Sequence, residues 1–375
     1  MRAVRGVLII GGGFSGMAAA IALRQRGMAV DLVEIDPRWR SYGAGISLSG
    51  PTLRAFRQLG VLPQVVSLGY CADGCDLLTA DGRLLASIPT PRMAGPEFPG
   101  GGGIMRPVLA KIMADSTLAA GAQVRLGCTF ELITPQSESV AVAFSDGTQG
   151  RYDLVIGADG LNSKVRESIF PKAPRPNFTG QGVWRATAPR PATIQRPMMC
   201  MGRRLKAGVN PVSQTELYLF LTEDRPVNEI VPQEQLLPQL SALLVEFAAS
   251  PLAEIRAALS ASSRIVYRPL EGLLVPMPWG RDRVLLIGDA VHATTPHLAS
   301  GAGIGIEDGL VLAEVLGAHS NLDAALEAFH ERRWERCRLV VENSLRLGEI
   351  ERTGGSQEEH FDIMRRSMMA LAAPI

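Results

Sequence analysis

The stretch "VRGVLIIGGGFSGMAAAIALRQRGMAVDLVE", Val4–Glu34, decides the fold. Val4–Ile10 is rich in β-branched residues and continuous from Val7, which predicts a buried strand. Phe14–Arg26 predicts a helix ended by Gly27, and Ala29–Glu34 a second strand, making one βαβ unit of about 30 residues. Gly11, Gly13 and Gly16 form G-x-G-x-x-G between the first strand and the helix. In such a loop the first glycine allows a tight turn, the second lets backbone approach a pyrophosphate, and the third lets helix pack on strand. The helix start then offers free N–H groups and a positive dipole end to phosphates. Glu34 ends the second strand, where a carboxylate can accept hydrogen bonds from ribose hydroxyls and disfavours a 2′-phosphate. Asp36 is the second choice for that contact, and a tight turn with a surface Glu is the purely structural alternative.

Working outward, the chain has 375 residues, enough for two domains or one composite one. A net charge of +1 leaves no electrostatic footprint for nucleic acid or an acidic membrane. The five cysteines match no zinc or redox spacing, which fits a reducing, cytoplasmic setting and predicts no metal site. Met1–Ala22 has the arginines and apolar run of a signal peptide, but cleavage there would remove the glycine loop, so we read it as part of the fold. No stretch has 18 uninterrupted apolar residues, which predicts no membrane span.

Further along, Pro51–Leu59 reads as a helix and Asp73–Ser87 as strand, Asp81-Gly82 turn, strand. Gly95–Gly103 reads as a loop; within Gly100–Met105 the glycines follow no strand and predict flexibility. Arg106–Ala119 predicts a helix, Gln123–Leu126 a strand, and Asp146-Gly147 a hairpin turn before the buried strand Leu154–Ile156. Pro171–Pro197 argues against long helices. Glu216–Leu221 and Arg264–Arg268 predict strands flanking a helix from Gln233 to about Ala248, and Leu322–Ile350 has helical spacing.

Two later stretches repeat the design of a strand ending at an acidic residue. "YDLVIGADGLNSKVRESI", Tyr152–Ile169, ends its strand at Asp159, which can bind a ligand hydroxyl or simply cap the following helix. "RVLLIGDAVHATTPHLASGAGIGIEDG", Arg283–Gly309, places Asp289 at the carboxyl end of a buried strand, where open α/β sheets bind ligands. The next helix starts with Gly301, Ala302 and Gly303, bare enough for a flat ligand to lie against its N–H groups. Glu307 and Asp308 suit the positive end of that helix and have a structural reading.

In this order the three motifs resemble the single-component FAD-dependent aromatic monooxygenases, the class A group with the para-hydroxybenzoate hydroxylase fold. The resemblance runs from about Val4 to Arg346 and is strongest in the cofactor segments. It implies an α/β fold: a Rossmann-like FAD-binding domain (1–72, 104–170 and 277–375, ending in a C-terminal helix) with an inserted mixed α+β substrate-binding domain (73–103 and 171–276). It implies that Gly11, Gly13, Ser15 and Gly16 hold the pyrophosphate and Glu34 the adenosine ribose. "YGAGISL", Tyr42–Leu48, would bring Gly45 and Ile46 near the flavin, and Arg106 would reach the phosphate and ribityl region. Asp159 matches the family's DG-motif aspartate, Asp289 the ribityl ligand and Pro296 the residue beside the ring, with the amides of Ala302 and Gly303 on its pyrimidine carbonyl. The sequence departs from the family at Ser300 and Gly303, and at Ile35, where an arginine often covers the adenine.

The resemblance further implies NAD(P)H as a transient reductant, dioxygen, and transfer of oxygen through a flavin 4a-hydroperoxide to a small aromatic or heteroaromatic substrate. Candidates for substrate chemistry are His297 beside Pro296, Arg185 in "GVWRATAP" and Tyr218 on a predicted strand; Trp184 and Met198-Met199 read as core, and His292 as structural. Other flavin chemistry on the same scaffold (epoxidase, reductase, halogenase) and a non-catalytic flavin-binding protein are the alternatives. The expected assembly is a monomer or homodimer.

Overall fold

The computed structural model describes residues 4–41, 43–248 and 250–375. Met1–Ala3 of the N-terminal stretch, Tyr42 of "YGAGISL" and Ala249 lie outside the described residues. Two sheets organise the chain. The first has six strands in the order Gly280–Arg281, Val284–Leu286, Leu154–Gly157, Gly6–Ile10, Ala29–Glu34, Gln123–Leu126. All its pairings are parallel except the short outer one between Gly280–Arg281 and Val284–Leu286. Parallel strands need both faces covered, which explains the unbroken apolar runs of Gly6–Ile10, Leu154–Gly157 and Val284–Leu286. Helix Phe14–Gln25 and helix Gly301–Ala318 pack together, and at Gly309 a Cβ would meet the Ala19 nitrogen at 2.5 Å.

The second sheet has seven strands, ordered Ile265–Gly272, Asn177–Pro189, Glu216–Asp224, Lys206–Pro211, Met198–Met201, Cys75–Thr79, Leu84–Ile88. Its own core gathers Trp184, Leu219, Leu221, Phe247 and neighbours, separate from the larger core of the first sheet. Trp184 is fully buried and donates from Nε1 to Glu223 at 2.6 Å.

Three local expectations are corrected. Gly101–Met105 is a mostly buried strand between Gly45–Leu48 and Tyr70–Ala72, not a loop. Its glycines serve close packing, because a Cβ on Gly102 would sit 2.7 Å from Cys71 Sγ and one on Gly103 2.5 Å from the Pro211 oxygen. Glu307 and Asp308 lie beyond the first turn of their helix. The C-terminus holds two helices, Leu322–Thr353 and Gln357–Ala372, turned at Gly354 with φ +67°. The second one is mostly exposed, with Ser367 and Leu371 its buried residues, although Phe361, Met364, Met368 and Leu371 recur at helical spacing. Among the described residues no helix is long and apolar enough to cross a membrane.

Candidate active site

The strands ending at Ile10, Gly157 and Leu286 are neighbours, so the three motifs emerge side by side at one edge of the first sheet. Strand order along the sheet reverses at Gly6–Ile10, and the crevice outside such a switch point is where open sheets hold ligands. The motifs are packed to contact. Gly11, with φ +109°, has no room for a Cβ, which would lie 2.4 Å from the Ala158 oxygen; one on Gly16 would strike the Gly11 oxygen. Ser15 Oγ fills the space between Gly288 and Gly305 and ties the front helix to the late motif. Gly13, by contrast, faces open space.

A cavity of about 880 Å³ lies in front of these ends. Gly13, Ser15, Gly45, Ile46, Arg106, Asp289, Pro296, Gly301, Ala302 and Gly303 line it, as do Arg185 and Tyr218 from the second sheet and His297 from the late motif. Asp289 presents its carboxylate to the cavity with no protein hydrogen-bond partner among the described residues. Its side chain is open to the cavity, but the protein packed around it limits its hydration and pushes its carboxyl up from the ordinary range. No side chain caps helix Gly301–Ala318, so its first N–H groups have no intrahelical or side-chain acceptor. Ser300 Oγ donates instead to the Leu298 oxygen at 2.8 Å. Gly303 has a packing reason, since a Cβ there would lie 2.4 Å from Thr52 Oγ1.

Other candidate residues are placed differently. Glu34 accepts from the Gly12 and Asp36 amides at 2.7 and 2.8 Å, one on each oxygen, so it braces the glycine loop and keeps a lone pair per oxygen for a ligand. Asp159 turns away from the cavity: Oδ1 accepts from Ser163 Oγ at 2.5 Å and Oδ2 from the Lys164 and Val165 amides, so it serves the following helix. Ile35 is 70% exposed. Met198 and Met199 both line the cavity, and Met198 also packs against the core of the second sheet.

Beneath the late motif lies a buried ionic cluster that sequence reading saw only in part. Asp308 Oδ2 accepts from the Gly288 amide at 2.9 Å and pairs with His292 Nε2 at 2.7 Å, while Oδ1 accepts from Arg333 Nε at 2.8 Å. Glu307 accepts from Arg333 and Arg336. Burial works against the charge on Arg333, but Cys337, Asp308 and Glu307 outweigh it and raise its pKa. Burial likewise works against protonated His292, and Cys337 and Asp308 outweigh it, holding its pKa well above the ordinary value. His292, Asp308 and Cys337 bring their ligand atoms within 4.8 Å of one another, but the guanidinium of Arg333 already donates to both Asp308 and Cys337 there. The one sequence hint was an arginine at a helical position that otherwise faces the core.

On the substrate side, Arg185 Nε donates to Tyr218 Oη at 3.1 Å. Burial, then the neighbouring Arg185, lower the pKa of Arg106, with Tyr218 and Asp289 opposing. Two cations therefore share one end of the cavity.

Comparison with known proteins settles the family. The family described as "FAD binding domain" matches residues 5–344. The chain belongs to it, and is an FAD-dependent monooxygenase of the aromatic hydroxylase group. It is 30% identical to the putative FAD-dependent monooxygenase YetM of Bacillus subtilis, over 90% of this chain and 91% of that one. It is 28% identical to the 2-heptyl-3-hydroxy-4(1H)-quinolone synthase of Pseudomonas aeruginosa, over 98% and 94%. The crystal structure of Klebsiella pneumoniae R204Q HpxO complexed with FAD superposes with a TM-score of 0.82 at 22% identity, covering 98% and 94%, a likeness of fold.

The residues present fit that cofactor. Gly13 leaves open space at the helix start, Asp289 has a carboxylate free to accept from a hydroxyl, and the uncapped amides at Ala302 and Gly303 suit a carbonyl.

Proposed function

We propose that this monooxygenase consumes NAD(P)H and dioxygen to hydroxylate a small aromatic or heteroaromatic compound carrying an ionisable hydroxyl or carboxyl group. The observation that carries the reading is the Arg106–Arg185–Tyr218 group on the same cavity as the late motif. Two half-buried guanidinium groups lining one cavity favour a negative charge beside them. Tyr218 accepts from Arg185, which leaves its own proton to donate to a ligand oxygen. Met198, Met199, Met364 and Met368 add soft apolar wall that can take a ring substituent of varied shape.

Within this reading, Gly11, Gly13, Ser15 and Gly16 would hold the FAD pyrophosphate and Glu34 the ribose. Arg106 and Asp289 would hold the middle of the cofactor, with Pro296, Gly301, Ala302, Gly303, Gly45 and Ile46 about the ring. Asp159 would act indirectly, by fixing the helix after Gly160. Bound FAD supplies the redox and oxygen chemistry. The protein's share is to orient the substrate carbon, lower the cost of the substrate's anionic form through Arg185, and exclude water. His297, neutral because burial and Lys206 lower its pKa, is the proton acceptor nearest Pro296 in sequence.

The test is a panel of phenols, hydroxypyridines, hydroxybenzoates and quinolones. A substrate should stimulate NAD(P)H oxidation and yield a product one oxygen heavier. Stimulated oxidation that yields only peroxide for every member would count against hydroxylation of this class.

A further inference from the structure

His297 joins the cavity to a buried cluster on the C-terminal helices. Its Nδ1 pairs with Thr295 Oγ1 at 2.8 Å, and Thr295 also lines the cavity. Its Nε2 lies 3.3 Å from Glu351 Oε2, near the end of helix Leu322–Thr353. Glu351 Oε1 pairs with His360 Nε2 at 3.1 Å, from the last helix, and with Lys206 Nζ, from the second sheet. These three, with Gln181 from strand Asn177–Pro189, are the charged and polar groups that face the ring.

Two observations mark the cluster as more than packing. Among the described residues Gln181 Oε1 and Ser344 Oγ are buried without a hydrogen-bond partner, and His297 Nε2 and Glu351 Oε2 have only their loose 3.3 Å contact with each other; natural interiors rarely leave such atoms unpaired unless they have a task or a bound water. Ser344, Gly348 and Glu351 also share one helix face. A Cβ on Gly348 would lie 2.7 Å from Gln181 Oε1 and 2.9 Å from His297 Cε1. Glycine inside a long helix costs about 1 kcal/mol against alanine, and here it admits the imidazole to the carboxylate.

Resting on the reading that a substrate proton must leave this cavity, we propose that Thr295, His297 and Glu351 form a proton-accepting relay, with Glu351 the positioning residue and fixed counter-charge. A hydroxyl proton of the bound substrate passes to Thr295 Oγ1 as the Thr295 proton passes to His297 Nδ1. One O–H bond breaks and one forms at the threonine, one N–H bond forms at the imidazole, and the substrate keeps the electron pair as its anion. The imidazolium is then protonated on both nitrogens, with Nε2–H held against Glu351. The surroundings suit both ends of the step. Burial and Lys206 keep His297 neutral and receptive, while Lys206 and the two histidines, against the effect of burial, hold the Glu351 carboxyl far below its ordinary range.

The test is nitrogen NMR of the oxidised, FAD-loaded enzyme labelled at its five histidines, with His297→Gln assigning the signal. The relay predicts the Nε2–H tautomer for His297. Glu351→Gln should move its titration at least about one pH unit down, a tenfold loss of proton affinity. Lys206→Met should move it up, so the sign is tested even if the first variant folds poorly. In turnover, the acid limb of the kcat profile should follow the same two shifts. A His297 in the Nδ1–H form whose titration ignores both variants would overturn the relay. The NMR arm needs no substrate, so an enzyme that hydroxylates nothing in the panel refutes only the functional reading. A hydroxylating enzyme with an indifferent His297 refutes only the relay.

Discussion

Asp308→Asn tests whether the buried cluster under the late motif holds up the site. Every partner of Asp308 donates: the Gly288 amide and His292 Nε2 on one oxygen, Arg333 Nε on the other. Asparagine offers one oxygen and one NH2. With its oxygen toward Arg333, the NH2 meets the Gly288 N–H; flipped, it meets Arg333. Either way two donors face each other in a dry interior, and Arg333 loses half its counter-charge. Removing one partner of a buried ion pair costs about 3–5 kcal/mol. For a chain this long, at about 2 °C per kcal/mol, the melting temperature should fall roughly 6–10 °C. The pH dependence should also flatten. Asp308 has its pKa lowered, so its contribution is present above the unfolded carboxylate value and lost as pH falls through the folded one. His292 has its pKa raised, so its contribution is full below the unfolded imidazole value and lost as pH rises through the folded one. The variant removes both. Loss of the Gly288 bond should further weaken FAD binding, by about 2- to 10-fold for one hydrogen bond, read by flavin fluorescence quenching. A melting point within 2 °C of wild type together with unchanged FAD affinity would refute the reasoning.

Gly309→Ala sets a methyl group against the Ala18–Ala19 backbone and should cost about 1–3 kcal/mol, seen as a lower midpoint in urea. Gly11→Ala forces a positive φ and a clash with Ala158, and should yield protein purified with little flavin, whereas Gly13→Ala should keep its fold and lose only FAD affinity; absorbance at 450 nm per chain separates them. Arg185→Ala should raise KM and uncouple NAD(P)H oxidation from product, with partial recovery in Arg185→Lys if charge is what matters; unchanged coupling would remove Arg185 from the chemistry. Tyr218→Phe should lower turnover on a hydroxylated ring more than it lowers FAD affinity.

The fold was legible because its signals are local. Val4–Glu34 carries strand, turn, helix and strand in one stretch, and Asp289 follows a short apolar run whose length suits a buried parallel strand. The glycines of Gly101–Met105 misled, because a residue missing its side chain for contact reads like one missing it for flexibility; only the neighbours Cys71, Asn210 and Pro211 tell them apart. Asp159 left two readings open, and the hydrogen bonds follow the helix-capping one. Its position at a strand end suits a ligand or a helix start equally, and which one receives the carboxylate depends on its χ angles, which spacing does not encode.

The least legible part is the one that joins the halves. Arg333, Cys337, Ser344, Gly348 and Glu351 all sit on one helix, but in sequence they are scattered polar or small interruptions of an apolar pattern. Their meaning comes from what the helix is laid across: Asp308 and His292 at one place, Gln181 and His297 at another. Helix Leu322–Thr353 thus braces the cofactor-side strand end with one set of residues and the cavity-side imidazole with another, along one rigid rod. A substitution such as Gly348→Ala, which adds one methyl group to the rod, therefore has a specific consequence. The helix itself should gain propensity, while His297 and Gln181 must back away by a few tenths of an ångström or more. The expected result is a melting point close to wild type with a displaced His297 titration. A variant that changed stability and left that titration untouched would show that the glycine serves packing alone.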